Sequence, residues 1–186
     1  MIIALHGLQG SAKSTISDYL KQKHPEYFFL AVKDSFVKYV DYIINDLIQI
    51  NNIDSSIEFH KSLSLAISTT CEEYYHKDVW SNMTYDMIIA KSGHCVVDGV
   101  RTKMNLNMLQ RFADSGEQVY FLKLVASEEV RKQRVSVWRD NGGYTEVLLE
   151  KPDDLLPNFH WVEINTELSK EQVFAAVEEA LKKGYI

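Results

Sequence analysis

Residues 1–20 read Met1-Ile-Ile-Ala-Leu-His6-Gly7-Leu-Gln-Gly10-Ser11-Ala12-Lys13-Ser14-Thr15-Ile-Ser-Asp-Tyr-Leu20. A short apolar run, a loop of small residues ending in Lys-Ser-Thr and an amphipathic run follow in that order. The pattern predicts strand, turn and helix, the context in which G-x-x-x-x-G-K-[ST] forms a phosphate-binding loop. In such a loop backbone N–H groups wrap an oligophosphate, the lysine reaches its outer phosphates, and the hydroxyl after it takes a place on Mg²⁺. Gly7, Gly10, Ser11, Ala12, Lys13, Ser14 and Thr15 are therefore the expected nucleotide-binding residues. A bare Gly-x₅-Lys-Ser/Thr arises by chance in about one chain in ten of this size. The flanking strand and helix lower that by roughly another order of magnitude. One position departs from the pattern: Ala12 stands where the second glycine belongs. At positive φ its Cβ costs about 1–2 kcal/mol, whereas in a helical conformation it costs nothing. The sequence leaves both open.

The chain has 186 residues, 46% of them hydrophobic and 25% charged, which suits one soluble globular domain with a substantial core. No apolar run approaches the roughly 20 residues of a membrane span. The apolar start is too short, and lacks the basic flank, of a signal peptide. A cytoplasmic location is the expectation. Cys71 and Cys95 are isolated, and the six histidines show no ligand spacing. A net charge of −6 disfavours long polyanions but leaves room for a small phosphorylated substrate in a local basic pocket.

Strand-like segments occur at residues 1–6, 27–31, 94–98, 118–124 and 160–164, several nearly continuous in apolar residues, as strands buried on both faces are. Helix-length periodic segments lie at about 14–23, 34–51, 56–75, 78–92, 104–115, 127–140 and 169–183. The last opens with the capping box Ser169-Lys-Glu-Gln172. Strands alternating with helices predict a three-layer α/β fold with a parallel sheet, and in such sheets ligands bind beyond the carboxyl ends of the strands. The second strand is followed by Lys33-Asp34, the third by Asp98-Gly-Val-Arg101, and the fourth by a helix that Ser127 caps and that carries Arg131, Arg134 and Arg139. Asp34 can take a proton from a hydroxyl, bind a sugar, or simply cap a helix. Lys33 and Lys38 can hold an acceptor phosphate. Asp98, expensive to bury without a cation or donors, suits Mg²⁺. Arg101 can grip a phosphate in bidentate fashion, while Arg131 and Arg134 share a helix face from which a phosphoryl group in transit can be neutralised. The aromatics of residues 27–42 and 74–85 fit helix core better than base stacking. Asn141-Gly142-Gly143-Tyr144 opens a stretch to Pro157 that suits a lid, at about 136–158.

Together these residues resemble the P-loop nucleoside and nucleotide kinases, most closely the phage-type deoxynucleoside monophosphate kinases. The resemblance runs over nearly the whole chain. It joins the Gly7–Thr15 loop, the segment from Phe29 to Lys38, a tryptophan-led helix at Asp78-Val-Trp80, and Val97-Asp-Gly-Val-Arg101. It implies a P-loop kinase fold with a five-stranded parallel sheet flanked by helices, in one domain, with a helical acceptor-binding insertion at about 34–92. It also implies ATP and Mg²⁺, with transfer of the γ-phosphate to a deoxynucleoside monophosphate. Lys13, Asp34, Arg131 and Arg134 would be catalytic; Lys33, Asp34 and Arg101 would bind the acceptor; Ser14 and Asp98 would hold the metal. The family's Leu-Gly-Thr-Glu acceptor region is missing between residues 60 and 80, and Asn105 replaces its acidic residue after Arg101. A second resemblance, to polynucleotide 5′-hydroxyl kinases, rests on Lys33-Asp34-Ser35 and on Asp98 to Asn107. It implies a hydroxyl acceptor on a nucleic acid or nucleoside, deprotonated by Asp34. A nucleotide-binding switch without turnover is the third reading. The sequence leaves monomer and homodimer open.

Overall fold

The computed structural model describes residues 1–51, 57–74, 76–135 and 148–182. Two compact units make up the chain: Met1–Leu30 with Ser92–Ile186, and Ala31–Lys91.

The first unit holds β1 (Ile2–His6), α1 (Lys13–Lys23) and β2 (Phe28–Ala31), the last residue of which already belongs to the second. After the second unit come β3 (Cys95–Asp98), α5 (Lys103–Asp114), β4 (Val119–Val125), α6 (Glu128–Gln133), β5 (Phe159–Asn165) and α7 (Lys170–Lys182). The strands form one parallel sheet in the order β2-β3-β1-β4-β5. Ile2 of β1 is level with Cys95 on one side and Val119 on the other, and Val119 with Phe159. All of β1 is buried, which explains its unbroken apolar sequence.

Period-two alternation divides the apolar side chains between the faces. Ile3, Leu5, Val96, Tyr120, Leu122, Leu124 and Ile164 form a core with Ile16 and Leu20 of α1 and Val173, Val177, Ala180 and Leu181 of α7. Helix α5 packs against β4 and buries Met108, Leu109, Phe112 and Ala113. Helices α5 and α7 begin at side-chain caps. Thr102 Oγ1 accepts from Asn105 N at 3.2 Å, while Asn105 Oδ1 accepts from the N–H groups of Arg101 and Thr102. Asn105 therefore has a structural task as an α5 cap. The expected box at α7 is formed too: Ser169 and Gln172 exchange side-chain and backbone bonds of 3.2 and 3.3 Å.

The chain runs from β1 to β2 and β3 on one side of the sheet, then to β4 and β5 on the other. The strand order thus reverses around β1, and its carboxyl end is the switch point at which open α/β sheets bind ligands. Residue 7 begins there.

The second unit contains α2 (Asp34–Asn51), α3 (Ile57–Tyr74) and α4 (Val79–Lys91). Trp80 is buried, tilts against Phe36 at 5.1 Å and donates Nε1–H to the Ser68 carbonyl at 3.3 Å, so it belongs to helix packing as expected. Tyr39, Tyr42 and Tyr74 run against the core expectation: they are exposed, Tyr74 to 77%.

The helix expected over 127–140 is shorter. It ends at Gln133, with Arg134 as its C-cap. Residues 136–147, with Arg139 and most of the expected lid, lie outside the described residues, as do Tyr75 and residues 183–186; 148–158 contain no helix or strand.

Leu20 of α1 is fully buried in the core that anchors the loop-bearing helix to the sheet. Leu20→Ala is expected to cost about 2–5 kcal/mol, read in urea as a lower unfolding midpoint at unchanged slope.

Candidate active site

The loop between β1 and α1 is held in shape by close approach. A Cβ on Gly7 would stand 2.7 Å from the Leu124 carbonyl oxygen and collide with the Ser11 side chain. Gly10, at φ +78, leaves no space either: its Cβ would lie 2.5 Å from the Arg131 carbonyl oxygen and 2.9 Å from the Arg131 Cα. Both glycines let strand and helix backbones approach where side chains would separate them.

Ala12 takes φ 67 and ψ 20, the left-handed conformation, so its methyl carries the strain that a glycine would avoid. It is also the N-cap of α1, with no side-chain cap bond. The first N–H groups of any α-helix lack intrahelical partners, and the macrodipole places partial positive charge there. Here the missing polar cap leaves that end suited to an anion.

A cavity of about 600 Å³ opens on this loop, within the first unit. Residues Gln9 to Ile16 form its floor, Arg101 and Arg134 stand in its wall, and Thr166, Leu168 and Phe174 line it further along. Lys13 lines the cavity with its ammonium folded back onto the Gly7 carbonyl and, at 2.9 Å, the Leu8 carbonyl. Ser14 is exposed and lines the cavity; Ser11 is buried, its hydroxyl without a hydrogen-bond partner among the described residues. An orphaned hydroxyl, a glycine-lined cradle and an open helix end all fit an oligophosphate.

Arg131 of α6 and Arg134 at its C-cap both grip the loop. Arg131 donates to the Gln9 carbonyl at 3.2 Å and the Ala126 carbonyl at 3.3 Å, and it does not line the cavity. Arg134 donates to the Gly10 carbonyl at 3.4 Å and to Thr166 through Oγ1 at 3.2 Å and the carbonyl at 2.5 Å. Ser127 stands at the N-cap of α6 without the expected side-chain cap bond. Its N–H donates instead to Glu167 at 2.5 Å, and the backbone and hydroxyl bonds from Ser127 hold the Glu167 carboxyl below its ordinary pKa.

Asp98 closes β3 half-buried, level with Leu5 of β1, and one of its oxygens accepts from Gly99 N at 2.7 Å. Ser14 is among the residues that line the cavity and Asp98 is not. Each offers a hard oxygen donor of the kind Mg²⁺ takes, which typically uses one or two carboxylates and completes its shell with water and phosphate. Among the described residues there is no group of three His, Cys, Asp or Glu that can hold a metal.

Lys33 and Asp34 open the second unit. Lys33 is exposed. Asp34 is not the N-cap of α2 but its first helical residue, and its carboxylate turns back to accept from Ala31 N at 2.8 Å. The side chain of Lys38 lies outside the described residues. Sequence reasoning missed Thr166, which is buried, accepts from Arg134 and directly follows β5. The rule that useful residues follow strand ends, extended to the fifth strand, would have found it.

No family model matches the chain, and no curated protein matches it. Solved structures do. TT1252 from Thermus thermophilus superposes with a TM-score of 0.58 at 14% identity, over 98% of this chain and 96% of that one. The APS kinase of Mycobacterium tuberculosis, in complex with AMPPNP and APS, gives 0.52 at 13% identity, over 97% and 96%. The thymidylate kinase of Candida albicans gives 0.50 at 16% identity, over 99% and 92%. The fold is that of the P-loop kinases. The five-stranded parallel sheet flanked by helices was expected from the sequence and is found. No described helix is long and apolar enough to cross a membrane.

Two substitutions test the loop. Ala12→Gly relieves about 1–2 kcal/mol of left-handed strain against about 0.4–1 kcal/mol of added unfolded-state entropy. Stability by urea unfolding should be equal or higher, where an ordinary helical Ala→Gly lowers it. Gly10→Ala should be destabilising by about 1–2 kcal/mol from φ alone, with a further loss from displacing Arg131.

Proposed function

We propose that the chain is an ATP-dependent phosphotransferase that moves the γ-phosphate to a deoxynucleoside monophosphate. The observation that carries this reading is the cavity itself, floored by a Lys-Ser-Thr loop and an uncapped helix N-terminus and walled by two arginines. Recognition of a small anion needs less; a γ-phosphoryl group in flight needs cations placed before it moves.

In this reading the loop amides hold the β- and γ-phosphates. Lys13 exchanges its carbonyl partners for phosphate oxygens and follows the negative charge as it develops. Arg101 binds a phosphate in bidentate fashion at the cavity wall. Arg134 carries positive charge to the same space, and Arg131 holds the loop by Gln9 and supports it from behind. Ser14 and Asp98 would hold Mg²⁺, which would neutralise charge developing on the phosphates when bound. Leu168, Val173 and Phe174 give the cavity an apolar side on which the nucleobase rests. Lys33 and Asp34 lie near the start of the helical unit Ala31–Lys91, which in this reading binds the acceptor. A monophosphate acceptor arrives ionised and asks for cations; a hydroxyl acceptor asks for a base.

The test is an acceptor panel with Mg²⁺ and ATP, read by coupled ADP release. Transfer to one or more of the four deoxynucleoside monophosphates is the expected result. Labelled phosphate on a DNA oligomer alone would point to a hydroxyl kinase, and nucleotide binding without transfer to a switch. Lys13→Ala should lower the transfer rate by on the order of 10²–10³-fold with the circular-dichroism spectrum unchanged; retained activity would remove the site assignment. Asp34→Asn should raise KM for a monophosphate with little change in kcat. A rate loss of about 10²-fold or more would instead make Asp34 a base.

A further inference from the structure

His6 ends β1, immediately before the phosphate loop, and is only 2% exposed. Its ring lies tilted against Phe121, centroids 5.4 Å apart. Both ring nitrogens are within hydrogen-bond distance of backbone groups from distant parts of the chain. Nδ1 is 2.8 Å from the Val100 carbonyl oxygen, and Nε2 is 3.0 Å from Leu149 N. The partners dictate the tautomer. A carbonyl only accepts and an amide N–H only donates, so the hydrogen is on Nδ1 and the lone pair on Nε2.

Val100 is 1% exposed and precedes Arg101, whose own N–H is held by Asn105 Oδ1 at 2.9 Å. The main chain from which the Arg101 side chain springs is thus fixed on both sides. One tie is a helix cap; the other runs to the strand that feeds the loop. A leucine would fill the same buried space but leave both backbone groups unpaired.

We propose that His6 is a positioning residue for the nucleotide site: its Nδ1–H bond to Val100 sets the Arg101 backbone relative to the phosphate loop. The idea rests on the nucleotide-binding reading of the cavity, and deepens it by naming a residue that touches no ligand.

Three measurements test it. Nitrogen-15 spectra of the ring need no ligand and should show Nδ1 protonated and Nε2 unprotonated; the opposite tautomer overturns the proposal. Affinity for a fluorescent Mg²⁺·ATP analogue should fall on the order of tenfold or more in His6→Leu, as it does when a group orienting a direct ligand is removed. His6→Asn, whose amide nitrogen matches the position of Nδ1, should stay close to the parent affinity. Asn as weak as Leu overturns the proposal. Arg101→Ala should weaken binding similarly, and the double variant His6→Leu/Arg101→Ala should be no weaker than Arg101→Ala alone, since the two losses are one effect. Fully additive losses overturn it. If His6→Leu does not fold, the ring spectra and the Asn variant still decide. A parent chain that binds no nucleotide while showing the expected tautomer would overturn the nucleotide site and leave the His6 geometry standing, so the two failures are distinct.

Discussion

The loop after β1 must reverse the chain between two buried elements and finish with helix amides pointing outward. That constraint governs the rest of the site. It requires left-handed backbone at residues 10 and 12, and it brings the loop so close to β4 and α6 that Gly7 and Gly10 have no room for a side chain. Once the turn is made, α1 begins without a polar cap, and its dipole faces the cavity instead of a side chain from its own end. Part of the positive potential at the loop is therefore carried by backbone, beside the cationic side chains that line the cavity.

The surrounding cations act on this backbone as much as on the cavity. Arg131 and Arg134 reach the carbonyls of Gln9 and Gly10, and Arg134 also ties the loop to Thr166 after β5. The outer rim of the turn is thus clamped by guanidinium groups whose donors, in a rigid fork, suit adjacent carbonyls. Thr166 in turn donates Oγ1 to the Val125 carbonyl at 3.1 Å, which carries the restraint back into the sheet. Strand ends β4 and β5, α6 and the loop thereby form one hydrogen-bonded rim.

Much of this was legible in the sequence because the relevant signals are local. Five apolar runs gave the strands to within a residue or two, and Ser169-Gln172 marked the start of α7. Lys13, Ser14, Arg101 and Arg134 were placed at one cavity from motif and strand-end rules alone. What the sequence did not carry was long-range geometry. The sign of φ at Ala12 depends on how β1, β4 and α6 crowd the turn. Arg131 looked like a cavity residue because it shares a helix face with Arg134, but α6 breaks off after Gln133; both side chains reach loop carbonyls and only Arg134 lines the cavity. His6 showed no pattern because its partners are 94 and 143 residues away. Asn105 read as a missing acid, whereas it caps a helix.

The folded-back posture of Lys13 has a bearing on how binding energy is divided. With its ammonium lodged on the Gly7 and Leu8 carbonyls, the part-buried side chain already has two hydrogen-bond partners. On the proposed reading, a phosphate entering the cup would not recruit a freely moving cation; it would compete with two dipoles for one already nearby. The net gain in the ground state is a modest exchange of partners. Under the proposed transfer, the stronger pull would come only when additional negative charge appears on the oxygens within reach, and the lysine's contribution would grow along the reaction coordinate.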